Sequence, residues 1–216
     1  MLQGTNLRVT NNAIAFVFGT TSATGIWLSG TYLSGGSVSS MSASNRAVVQ
    51  GNGVSAVKVS GTNPDGSPAQ FASATGIYVG GFPDTLIRDN AVNGISAPIR
   101  VPVWSSTGYS RAVGIQVSQL IEPYRIGGLI IQDNTVQNNV IYARITNPNS
   151  AGIQISNPGD HAIVTGSNIT GMTTGIETGY VWFPGTPPVL MLNNKISLAT
   201  TPINGGPVNG AVTLPQ

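Results

Sequence analysis

The stretch "GLIIQDNTV", residues 128–136, runs apolar residues into an Asp-Asn pair and straight out into valine. Variants of it recur: "NLRVTNNAI" at 6–14, "RAVVQGNGV" at 46–54, "DTLIRDNAV" at 84–92, "HAIVTGSNI" at 161–169 and "VLMLNNKI" at 189–196. Aligned on their second polar position they give Asn12, Asn52, Asn90, Asn134, Ser167 and Asn194. One such stretch would suit an ordinary hairpin. Six of them, all polar at one position between apolar runs, describe a repeat.

A second unit alternates with the first: "TGIWL" (Gly25), "TGIYV" (Gly76), "VGIQV" (Gly114), "AGIQI" (Gly152), "TGIET" (Gly175) and, more weakly, "GAVTL" near the end. Asn unit and Gly unit interleave through the whole chain. Both are short, β-branched, alternating runs bounded by Gly, Asn or Ser, which is the signature of strands separated by turns. The spacing between Asn positions stretches and shrinks while the strands persist. That combination predicts the coils of one solenoid joined by loops of different length, with almost no helix.

The bulk composition fits. A chain of 216 residues is long enough for one sizeable core, so a single domain over residues 1–216 is expected. Hydrophobic residues make up 40% of it, which argues against disorder, whereas charged residues make up only 7%, so solubility must come from Ser, Thr, Asn and Gly. The net charge of +2 rests on scattered Arg and Lys without a basic run, so no nucleic-acid partner is expected. Cysteine is absent, which excludes disulfides and thiolate metal sites. No apolar segment is long enough for a membrane span, and no basic region precedes the apolar stretch near the start, so no signal peptide is visible. The beginning reads as a module of a longer parent. The first coil has no visible cap, and contact with that parent or with a second copy is the expected cover for its strand edges.

The alternation "V-x-x-N-x-V…G-I-x-V" resembles the right-handed, single-stranded parallel β-helix of the pectin-lyase-like superfamily over nearly the whole chain. The resemblance implies about six coils of three strands. In it the Gly-Ile strand is the first, and the strands flanking the Asn are the second and third. It also implies that the turn residues stack as an asparagine ladder, which would satisfy buried turn backbone one coil spacing apart. Ser167, followed by Asn168, interrupts the asparagines, and a slip of the ladder is expected there.

If Ile26, Ile77, Ile115, Ile153 and Ile176 point inward, the next residue on each strand points outward. That predicts an exposed row of Trp27, Tyr78, Gln116, Gln154 and Glu177. Aromatic rings stack on pyranose faces and amides bridge hydroxyls, so the row suits polysaccharide. An exposed sheet of ordinary strand formers is the alternative.

The resemblance places a substrate groove over this sheet. "APIRVPVWSSTGYSR" and "VIYARITNPNS" would line one wall with Arg100, Trp104, Tyr109, Arg111, Tyr142 and Arg144. "EPYR" and "PGDH" would line the other with Glu122, Tyr124, Arg125, Asp160 and His161. Binding residues are then Trp27, Tyr78, Gln116, Gln154, Trp104, Tyr109 and Tyr124. A lyase or epimerase acting on acidic glycans would draw on Glu177, Arg144, Tyr142, Arg111 and His161, with Arg or Tyr as base or carboxylate clamp. Asp160-His161 is similar to part of an epimerase motif, although a lone histidine beside a turn is more often structural.

Hydrolysis is disfavoured, because the row supplies one carboxylate and polygalacturonase-type signatures are missing. No cofactor is expected. Asp89 and Asp133, equivalent in neighbouring coils, are the one candidate pair for calcium, though a pair without further ligands would bind feebly. Three functions follow: an extracellular or cell-surface (secreted) polysaccharide-binding protein, a lyase or epimerase in the same groove, or a structural, adhesive fibre or spike module.

Overall fold

In a computed structural model, the described residues are 2–3, 6–30, 46–82, 84–98, 109–118, 128–137, 150–156, 162–179, 189–205, 208–209 and 212–213. They form strands, bends and turns, and no helix occurs among them. None therefore contains a helix long and apolar enough to cross a membrane.

The strands build three seven-stranded sheets, every pairing parallel. The first sheet holds Leu2–Gln3, Ser22–Ser29, Phe71–Gly80, Tyr109–Ser118, Ser150–Ser156, Thr174–Gly179 and Thr201–Gly205. The second holds Leu7–Thr10, Arg46–Gln50, Asp84–Arg88, Leu129–Gln132, Ala162–Thr165, Val189–Leu192 and Val208–Asn209. The third holds Ala13–Gly19, Gly53–Val59, Ala91–Asn93, Thr135–Gln137, Asn168–Thr170, Asn194–Ser197 and Val212–Thr213. The chain visits first, second and third sheet in turn and then repeats, which makes it a parallel β-solenoid. Six Asn-type turns define the coils, and short strands at the two ends extend each sheet to seven.

Two corner columns turn the chain, and both demand a left-handed backbone. Between the second and third sheets stand Asn11, Gly51, Asp89, Asp133, Gly166 and Asn193, with φ between 53° and 67°. Only Asn, Asp and Gly occupy this column, the types that enter that region at least cost. A second column contains Phe16 and Ala56, inside the longer third-sheet strands, and Gly94, Gly171 and Leu198, just after the shorter ones, again with positive φ. Here bulky residues accept the strain.

Next to the first column runs the ladder. The backbone N–H of Asn12 donates to Asn52 Oδ1, that of Asn52 to Asn90 Oδ1 and that of Asn90 to Asn134 Oδ1, each at 3.0 Å. Side-chain Nδ2 groups join the same acceptors at 3.0, 3.0 and 2.9 Å. The steps span 40, 38, 44, 33 and 27 residues, so loop length varies while the turn geometry holds. The ladder does not slip at the serine. Asn134 N–H donates to Ser167 Oγ at 3.4 Å, and Ser167 N–H donates to Asn194 Oδ1 at 3.0 Å. Asn168 instead starts the third-sheet strand, paired with Thr135 and Lys195.

Inside, equivalent residues stack coil on coil. Ile26, Ile77, Ile115, Ile153, Ile176 and Ile203 are in register on the first sheet. They face Val54, Val92, Val136, Ile169 and Ile196 of the third sheet in one core. The recurring glycine preceding each isoleucine is explained by that approach. A Cβ on Gly114 would point at Val136 and lie 2.6 Å from the carbonyl oxygen of Gly152, and Gly76 and Gly152 meet the same obstacles one coil away. These glycines serve close packing between sheets.

The last coil corrects one expectation. The strand that continues the Gly-Ile column is Thr201–Gly205, with Ile203 beside Ile176 and Asn204 beside Glu177. "GAVTL" instead contributes Val212 and Thr213 to the third sheet, beside Asn194 and Lys195. Pro202 replaces glycine at this bend. The pairing register skips this position in the neighbouring strands as well, at Gly152 and Gly175.

Candidate functional site: the outer face of the first sheet

The outward row exists as a row. Trp27 pairs with Tyr78, Tyr78 with Gln116, Gln116 with Gln154, and Gln154 with Glu177. Strand alternation puts them on the outer face, because the isoleucines beside them are buried.

Trp27 is 43% exposed, and its ring lies 4.9 Å from that of Tyr78, centroid to centroid, at an interplanar angle of 51°. The tilted pair is a favourable aromatic arrangement and leaves ring surface open to solvent. Tyr78 is half-buried, and its ring lies along its own strand over Gly80, where a side chain would collide with the phenol. Burial pushes the Tyr78 hydroxyl above the ordinary phenol range, an effect partly offset by a hydrogen bond with Ser118 on the next coil. Thr75 Oγ1 approaches Gln116 Oε1 at 3.5 Å, so the amide is steered by a hydroxyl one coil away. Neither Thr75 nor Ser118 was expected at the site; their signal was the parallel register, which places both beside the row.

Gln154 departs from expectation. It is only 1% exposed, and its Oε1 has no hydrogen-bond partner. A buried amide oxygen cannot bridge sugar hydroxyls from solvent, so Gln154 is removed from the exposed part of the row. Part of the reason lies in its neighbours. Arg111 Nη2 donates to Glu177 Oε2 at 2.8 Å, and their side chains are 13% and 21% exposed. Arg111 and Glu177 stand on the strands Tyr109–Ser118 and Thr174–Gly179, which flank the Gln154 strand on either side. Their ion pair therefore meets above the intervening strand.

Thus two residues selected as separate candidates occupy one bridge, and each consumes the other's charge. Tyr109 heads its strand beside Phe71, while its side chain lies outside the described residues. Also outside them are Tyr142, Arg144, His161, Trp104 and Tyr124, together with Arg100, Glu122, Arg125 and Asp160.

Asp89 and Asp133 are on another part of the surface, in the left-handed corner column. Gln132 Nε2 donates to Asp133 Oδ2 at 2.8 Å, and Asp89 Oδ2 lies 3.6 Å from Arg88 Nε. Their backbone conformation accounts for the choice of Asp. Among the described residues there is no cluster of three or more His, Cys, Asp or Glu suited to a metal.

Comparison with protein-family models, with curated proteins and with solved structures returned no match, so the ladder, the glycine column and the outer row stand on this chain's own geometry.

Proposed function

We propose that the protein is an extracellular or cell-surface, right-handed parallel β-helix of the pectin-lyase-like kind that binds polysaccharide along the outer face of its first sheet. The observation that carries this reading is the open Trp27–Tyr78 ring pair, aligned in register with the Gln116 amide. Stacking area followed by hydrogen-bonding groups at successive strand spacings matches a chain of pyranose rings. The right hand is the one that parallel crossovers almost always take. Retention on immobilised polysaccharides tests the reading: wild-type protein should be retarded and Trp27→Ala should not. Equal retention of both proteins would remove the site.

Lyase or epimerase action is the second reading, resting on Arg144, Tyr142 and His161. It ranks lower because Arg111 and Glu177 hold each other. Ultraviolet absorbance from an unsaturated product, or a changed sugar epimer by NMR, would reverse the ranking. A structural, stacking role draws on one observation. The inward residues Leu7, Val9, Ile14 and Val17 of the first coil are only partly buried, while Phe16 and Phe18 beside them are exposed. Light scattering that finds a strict monomer at all concentrations would count against that role.

A further inference from the structure

The described strands of the first sheet are nearly free of charge. Along its described strands from Ser22 to Gly205, the charged residues are Arg111 and Glu177 alone. They form the 2.8 Å ion pair with each other. The remaining charges of the described strands, among them Arg8, Arg46, Asp84 and Arg88, lie on the second sheet, and Lys58 and Lys195 lie on the third. Among the described strands, charge is thus kept off one sheet apart from this neutral pair, and that sheet is the one carrying the aromatic pair.

From this we infer that the ligand of the first-sheet face is an uncharged, hydroxyl-rich glycan, stacked on Trp27 and Tyr78 and running along the coil axis, rather than a uronate polymer. The inference rests on the polysaccharide reading above and narrows its substrate class. A sugar carboxylate laid on the described strands of this face would lose hydration without gaining a free cation from them, because the Arg111 guanidinium is already matched by Glu177. It would also meet Gln116 Oε1, an acceptor facing an acceptor, unless the amide turned. A neutral hexose has neither problem. Its apolar ring face covers the indole and phenol rings, and its hydroxyls both donate and accept, as do Gln116 and Ser118. The raised Tyr78 phenol stays protonated through neutral and mildly alkaline pH and remains available as a donor.

Affinity electrophoresis of the intact chain tests the class and the site separately. The probes are hydroxyethyl cellulose, galactomannan and dextran as neutral polymers, with polygalacturonate and alginate as acidic ones, each at low and high sodium chloride. The expected result is retardation by at least one neutral polymer, unchanged by salt because no ion pair forms across the interface. Trp27→Ala should weaken it about tenfold, as the loss of one stacking ring implies, and Trp27→Phe should restore most of it. Retardation by acidic polymers alone, or as strongly by acidic as by neutral ones, would overturn the neutral-glycan inference. If Trp27→Ala still weakened that binding, the site itself would survive. Retardation indifferent to Trp27→Ala and Tyr78→Ala would overturn the site, and no retardation by any polymer would overturn both.

Discussion

Arg111 and Glu177, 66 residues apart in sequence, are joined at 2.8 Å across an intervening strand. The bridge ties together three consecutive coils at the outer face. Because both side chains are largely covered, removing one partner leaves the other charge poorly solvated. Glu177→Gln is expected to cost on the order of 1–3 kcal/mol, measured as a lower denaturant midpoint. Replacing both residues by Met should recover most of the loss. A Glu177→Gln variant as stable as wild type would show that the pair contributes nothing.

At Ser167 the ladder carries its longest described step, 3.4 Å from Asn134 N–H to the serine oxygen. Asparagine there would offer a carbonyl oxygen to both Asn134 donors and an Nδ2 to Asn194. Ser167→Asn should raise stability by about 1 kcal/mol. Asn90→Ala, which removes the acceptor for two Asn52 donors, should lower it by about 2 kcal/mol or more. Thermal unfolding of the two variants decides both claims.

Thr178 occupies the inward column beside Ile155, buried, with a hydroxyl that has no hydrogen-bond partner. Valine keeps the shape and removes the unpaired group. Thr178→Val should therefore stabilise the fold by about 1 kcal/mol and raise Tm by about 2–4 °C. A fall in Tm would mean that the hydroxyl finds a partner in solution.

Leu198 is 84% exposed with φ of 53°, so it accepts a strained backbone without a packing reward. Leu198→Gly should relieve about 1 kcal/mol of strain, offset in part by the greater freedom of glycine in the unfolded chain. A net gain of about 0.5 kcal/mol is expected, with none from Leu198→Ala, which keeps a Cβ. Phe16, at 74% exposed and φ of 58°, should respond in the same direction.

Burial raises the Tyr78 hydroxyl above the ordinary phenol range. An acid with a raised folded pKa keeps its proton in the native state after the unfolded chain has lost it. Stability from this source is thus complete below pH 10 and declines as pH climbs toward the folded value. Among the six tyrosines, ultraviolet titration should find a late-ionising phenol that disappears in Tyr78→Phe. The same substitution should flatten the alkaline fall in stability.

Much of this architecture was legible in the residues because it repeats. Asn at one turn position and Gly before one isoleucine each answer a constraint that recurs in every coil, so the columns and the membership of the outer row could be read by alignment. The misses are positions where a neighbour, rather than the repeat, decides. Gln154 shares the Gly-Ile-Gln triplet of Gln116, yet one is buried and the other is not. Arg111 stands five residues before Gln116, and nothing local says that it reaches two strands over to Glu177. Of the second corner column, Gly94 and Gly171 carry a sequence signal, whereas Phe16, Ala56 and Leu198 give none. Pro202 hid the last first-sheet strand by replacing the glycine used to recognise it.

The coil register also acts as a ruler. The aromatic pair and the Arg111–Glu177 bridge are held on strands spaced at about 4.8 Å per coil. Because coils stack at a fixed rise, inserting one between the Tyr78 strand and the Arg111 strand would move the two features apart by that increment while keeping the Trp27–Tyr78 pair and the Arg111–Glu177 bridge. Distance along such a face is a counted quantity, and divergence of the fold can retune it in whole steps.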